Sequence, residues 1–171
     1  MRVKAIVKCS LIGAGIAAML AVLGSCGGRA RVSGTDGMLE YAREYYDNSD
    51  IVLTDKTYRN EQTLAWFMSS TGFTTTCRVM SFRNAPGGSE YEFIADETAK
   101  EYAVDIWSCN WQNGVAVLVN NPECRSICIV SDENKMSMDI TETPFDLYLP
   151  FDTSDASTRV FFYDQRGIRI T

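Results

Sequence analysis

A mainly β domain is predicted, an antiparallel β-sandwich or small barrel with an N-terminal α-helix, and three observations predict it. Short segments of apolar/polar alternation recur through the second half of the chain. Turn-forming clusters, "APGG", "QNG", "NNP", "DEN" and "DQRG", stand between them. One stretch near residue 40 instead carries its apolar residues at helical spacing. Many short strands separated by turns are the signature of a sandwich or barrel.

The helix is predicted from about Asp36 to Asp47. Met38, Leu39, Ala42, Tyr45 and Tyr46 fall on one stripe, Ser33 or Thr35 is placed to cap its start, and "DNSD" ends it. That stripe reads as core packing. The segment "NEQTLAWFMSSTG" is open between two readings. Asn60 as cap, Leu64, Phe67 and Met68 as stripe and Gly72 as stop favour a helix, and a strand over 62–69 in a hairpin with "FTTTCRVMSF" is nearly as good. "VAVLV", Val115 to Val119, is apolar on both faces and belongs in the middle of a sheet. "MSMDIT" sets Met136, Met138 and Ile140 against Ser137, Asp139 and Thr141, and "FDLYLP" aligns Phe145, Leu147 and Leu149. "ICIV" adds a further strand, and "FFYDQRGIRI" reads as a closing hairpin.

The start of the chain has a different character. Arg2, Lys4 and Lys8 precede "LIGAGIAAMLAVL", thirteen uncharged and mostly apolar residues from Leu11 to Leu23. A basic region followed by a short apolar one is an export signal, which is set aside from the folded domain. Leu23, Gly24, Ser25 and Cys26 then resemble the lipobox of bacterial lipoproteins: an aliphatic residue, two small ones and a cysteine. The resemblance covers the first 26 residues only. It implies that the Cys26 thiol is lipidated, that the signal is cleaved before it, and that the protein is anchored to a membrane of the bacterial envelope with its domain outside the cytoplasm. The organisation that follows is a signal peptide over 1–25, lipidated Cys26 with a tether over 26–35, and a single mainly β domain over 36–171.

The whole chain carries 16 basic and 22 acidic residues and no histidine. Losing Arg2, Lys4 and Lys8 with the signal leaves 13 against 22, a side-chain balance of −9. That excess argues against nucleic acid, whose binding needs clustered Lys and Arg to displace counterions. It permits a basic protein partner or a divalent cation, and it also keeps soluble domains apart. Cys77, Cys109, Cys124 and Cys128 remain in the domain, an even number in an exported chain, and are disulfide candidates. Cys124 and Cys128 are too far apart to bond along one straight strand, so the preferred pairing runs from Cys77 or Cys109 to Cys124 or Cys128. Zinc is disfavoured because there is neither a C-x-x-C pair nor a histidine. Asp132, Glu133, Asp152 and Asp155 offer oxygen donors for calcium, without the spacing of a calcium loop. No cofactor is implied.

Catalysis finds little support. The commonest general base is missing with histidine, and there is no nucleophile elbow, S-x-x-K dyad or phosphate-cradling glycine loop. Glu90 and Glu92 share a strand face beside "APGG" and make a candidate carboxylate pair, but Tyr91 and Phe93 opposite them suit an ordinary half-buried strand. "DIWSCNWQNG" puts Trp107, Cys109 and Trp111 on one side of a strand. Those tryptophans are either core around a cysteine or a platform for a small ligand or sugar. The reading that results is a non-enzymatic, membrane-anchored binding protein for another envelope or secreted protein, with ligand or glycan binding through Trp107 and Trp111 as the alternative.

Overall fold

The computed structural model describes residues 29–72, 74–131, 134–150 and 158–171. The predicted signal, Cys26, and the calcium candidates Asp132, Glu133, Asp152 and Asp155 lie outside them. The described elements are β1 (Arg31–Ser33), α1 (Gly34–Tyr45), β2 (Val52–Arg59), β3 (Gln62–Thr71), β4 (Thr74–Asn84), β5 (Glu90–Glu97) and β6 (Lys100–Ala103). They continue with β7 (Ile106–Trp111), β8 (Gly114–Val119), β9 (Cys124–Ser131), β10 (Asn134–Asp139), β11 (Phe145–Leu149), β12 (Thr158–Asp164) and β13 (Arg169–Ile170). The fold is mainly β, as predicted, and its strands pair antiparallel throughout.

Three sheets result. Sheet A has the order β1-β5-β4-β3-β2, sheet B β11-β8-β7-β6, and sheet C β10-β9-β12-β13. Apolar clusters fill the spaces between successive layers. Met38 and Ala42 of α1 pack with Ala65, Phe67, Met80 and Phe82 of sheet A. Leu64, Trp66, Met68 and Val79 on the other face of sheet A meet Trp107, Cys109, Trp111, Ala116 and Leu118 of sheet B. Val115, Val117, Val119, Leu147 and Leu149 on the far face of sheet B meet Ile127, Ile129 and Phe162 of sheet C. The order of layers is therefore helix, sheet A, sheet B, sheet C. Strand β8 is buried at all six positions, the middle-of-the-sheet place its unbroken apolar run predicts. Each such Val or Leu contributes about 1.5–3 kcal/mol by leaving water.

Two expected boundaries shift, and one open reading resolves to a strand. The chain is ordered before residue 36: Arg31–Ser33 form β1 against Glu90, Tyr91 and Glu92 of β5, so the tether ends earlier than Thr35. The helix begins at Gly34, with Ser33 as its N-terminal boundary residue in extended conformation and without a side-chain capping bond. "NEQTLAWFMSSTG" is strand β3, hydrogen-bonded on both sides to β2 and β4. Its apparent helical stripe mixes two faces, because Leu64, Trp66 and Met68 point to sheet B and Ala65 and Phe67 to the helix. The turn before it is a two-residue hairpin at Asn60 and Glu61, both at positive φ, 46° and 60°. The β7–β8 hairpin repeats this device at Gln112 and Asn113 (50° and 57°), the twist that suits tight antiparallel turns. The two tips touch: Asn60 Nδ2 donates to Gln112 Oε1 at 3.0 Å.

Candidate functional site

The outer face of sheet C is built by register. Lys135 of β10 lies opposite Val130 of β9, and Val130 opposite Arg159 of β12. One step along, Ser137, Cys128 and Phe161 form the next row, and Asp139, Ser126 and Tyr163 the third, with Arg169 of β13 opposite Tyr163. Directly paired residues share a face, so these side chains point away from Ile127, Ile129, Val160 and Phe162, which face sheet B. Among the described residues, none of this outer row belongs to any of the three apolar clusters. Val130, Phe161 and Tyr163 are partly exposed, Lys135, Arg159 and Arg169 are exposed, and the Arg169 guanidinium covers the Phe161 ring at 4.6 Å. Among the described residues of this face, three cations stand against the one carboxylate of Asp139, a positive sign within an acidic chain. Three strands about 4.8 Å apart, with about six residues at roughly 3.3 Å and the two-residue β13 beside them, make a footprint of roughly 300 Å², about a third of one side of a standard protein interface.

The tryptophans are core. Trp66, Trp107 and Trp111 are 0%, 4% and 6% exposed, enclosed between sheets A and B. A sugar platform needs a ring face open to solvent, and neither Trp107 nor Trp111 presents one. Trp66 Nε1 donates to Thr57 Oγ1 at 3.1 Å, and Trp111 meets the Tyr148 ring edge-on, centroids 6.2 Å apart.

The cysteines are free thiols in this structure, and their placement overturns the preferred pairing. Cys109 faces sheet A, with Cys77 packed against the same cluster. Cys124 belongs to the cluster on the opposite side of sheet B. Cys128 is buried on the outer face of sheet C, beside Phe161 and Ser137. Sheet B therefore separates Cys109 and Cys77 from the other two.

Glu90 and Glu92 do lie on one face of β5, with Tyr91 buried on the other. Glu92 is opposite both Arg31 and Arg83, and Arg83 Nη1 stands 3.7 Å from its Oε2. They line a shallow cleft of about 410 Å³ with Asn84, Ala85 and Pro86. A half-exposed ion pair of this kind contributes about 0–1 kcal/mol and makes the face a solvated surface.

A second acidic pair escapes sequence reading. Where the edge of sheet A (β2) meets the edge of sheet B (β11), Asp146 hydrogen-bonds with Asp55 and with the Thr57 hydroxyl that also receives Trp66 Nε1–H. Burial, and then the Asp55 charge, push the Asp146 carboxyl above the usual carboxylate range against the lowering effect of Thr57. Two residues along each strand, the Arg59 guanidinium lies 4.1 Å from the Tyr148 ring centre, and Tyr148 donates to Gln112 O at 2.7 Å. The alternation of "FDLYLP" is a signal for a strand, but nothing in it says that its edge meets β2. Among the described residues there is no cluster of three metal-ligating side chains, and no helix long and apolar enough to cross a membrane. Comparison with protein-family models, with curated proteins and with solved structures finds no match for this chain.

Proposed function

We propose that this chain is a lipid-anchored protein of the bacterial envelope whose β domain binds another protein without catalysis, through the outer face of sheet C. The lipobox-like "LGSC" supports the anchor, and two or more acyl chains, each burying its methylenes at about 0.8 kcal/mol per CH₂, make such an anchor durable. The observation that carries the binding reading is the row-by-row alignment of Lys135, Val130 and Arg159 beside Phe161, Tyr163 and Arg169. Aromatic and arginine side chains, partly apolar and rimmed by charge, are the composition of protein-binding surfaces. Its local sign is opposite to that of the chain as a whole, which favours an acidic partner surface.

Photocrosslinking in cells expressing the full chain tests this reading. A probe at Val130 or Phe161 is expected to yield one discrete adduct that a probe at Tyr58, exposed on sheet A, does not. The double variant Lys135→Glu, Arg159→Glu should abolish it. Adducts from neither position, or equal adducts from both, sink the binding surface. The anchor is tested separately: Cys26→Ser should move the protein from the membrane fraction to the soluble one, and a wild-type mass without lipid overturns it.

A further inference from the structure

The two sheets that enclose the tryptophans each contribute one thiol to the same apolar cluster: Cys77 from β4 of sheet A and Cys109 from β7 of sheet B. Cys77 is partly exposed at the margin of the cluster, and Cys109 is buried at 2% exposure. Cys77 lies opposite Met68 in the β3–β4 pair and Cys109 opposite Ala116 in the β7–β8 pair, so both point into the space between the sheets, where Met68 and Ala116 also lie. Thr76 and Arg78, the neighbours of Cys77 along β4, belong to no apolar cluster.

We propose that Cys77 and Cys109 form a disulfide that staples sheet A to sheet B, leaving Cys124 and Cys128 as thiols. The assignment is independent of the binding reading above. Both side chains point into the one apolar space between sheets A and B, the arrangement in which Cβ vectors can converge as bonding requires. The chemistry is thiol–disulfide exchange with a disulfide oxidant such as oxidised glutathione. The thiolate of the more accessible Cys77 attacks one glutathione sulfur, forming a mixed disulfide and releasing one glutathione thiol. Cys109, as thiolate, then attacks the Cys77 sulfur and releases the second. Two S–H bonds are lost, one S–S bond forms, and the two electrons and two protons leave in the two glutathione thiols.

The surroundings set when this happens. Burial pushes the Cys77 thiol up to about 12, with the charge of Cys109 adding to the rise, and burial with the charge of Glu97 pushes Cys109 up to about 12. Both thiols are then protonated at neutral pH in the closed core and exchange slowly, because the thiolate is the nucleophile. The bond therefore forms while the sheets are assembling and Cys109 still meets solvent. Once closed, it is shielded by the tryptophans around it.

The experiment is peptide mapping of the full chain, purified from whole-cell detergent extracts and refolded in a glutathione redox buffer, with free thiols alkylated before reduction. Cleavage after Arg, Lys and Glu places Cys77 in the peptide 62–78 and Cys109 in 102–123, separate from Cys124 and Cys128. The expected result is a reduction-sensitive link between these two peptides, with Cys124 and Cys128 alkylated from the start. Reduction should lower the folding equilibrium constant by roughly a hundredfold, and Cys77→Ser should show the same loss and no further response to reductant. A link from either peptide to Cys124 or Cys128, or four alkylated thiols in folded protein equilibrated with oxidised glutathione, overturns the assignment. Because the redox buffer supplies the oxidant, the outcome does not depend on whether the chain is lipidated.

Discussion

Strand β8 sends Ala116 and Leu118 to one side of sheet B and Val115, Val117 and Val119 to the other, and the two sides meet different chemistry. Toward sheet A the space is filled by three tryptophans, two thiols and, at the β2–β11 edge, a hydrogen-bonded chain from Trp66 through Thr57 to Asp146 and Asp55. Toward sheet C, among the described residues, the cluster is Val, Ile, Leu, Ala103 and Phe162, with Phe145 packed against it and Cys124 its one thiol. Aliphatic packing tolerates any set of side chains with the right volume, whereas an indole with a polar partner specifies one arrangement. The A–B space therefore fixes how the layers register, and the B–C space chiefly supplies burial.

Substitutions can break or sharpen that contrast. The largest effect is expected for Trp66→Ala, about 3–5 kcal/mol by urea unfolding, since it empties the centre of the A–B space and removes the Nε1–H bond to Thr57. A cost below about 1.5 kcal/mol would mean that this space repacks as freely as the other. Gly114→Ala comes next, at about 1–3 kcal/mol, because an added Cβ would collide with the Tyr148 hydroxyl and the Leu149 carbonyl. Combining it with Tyr148→Phe should recover part of the loss in the same assay, and no recovery would locate the clash in the ring carbon Cζ and the Leu149 carbonyl. On the aliphatic side, Ile127→Val should cost only about 0.5–1.5 kcal/mol. The smallest effect belongs to Asp146→Asn. A carboxyl whose folded pKa is raised favours the folded state below its unfolded pKa, and that contribution is lost as pH rises through the folded value. Removing it should therefore raise stability near neutral pH relative to acid, by less than about 1 kcal/mol at this partly solvated edge. Thermal melts between pH 3 and 8 that run parallel for variant and wild type would show the Asp55–Asp146 pair to be inert.

The same contrast explains what could be read from the chain itself. Alternation at Phe145, Leu147 and Leu149 and the two-faced run at Val115–Val119 reported their environments directly, because one strand's burial pattern was sufficient evidence. Strand β3 was ambiguous for a physical reason: Leu64 to Met68 is buried on both faces, and a run apolar on both faces has no period to distinguish strand from helix. The fate of Trp107 and Trp111 depends on sheet A, laid down some forty residues earlier, and no local pattern reports it. The surface on sheet C is less legible still. Val130, Lys135, Phe161 and Arg169 become neighbours only through three separate strand pairings.

The wiring of the sheets has a consequence for how the molecule comes into being. In sheet A, β2, β3, β4 and β5 follow one another as hairpins, so each pairing closes over a short stretch of chain. In the other two sheets the chain leapfrogs: β11 returns to β8 only after β9 and β10 have been made, and β12 returns to β9 after β11. Closing longer loops costs more entropy before any contact repays it. A chain synthesised from its N-terminus can thus complete sheet A while its last strands are still missing. Sheet B closes only after β9 and β10 of sheet C have been made, and sheet C only after β11 has joined sheet B, so the two are built interleaved.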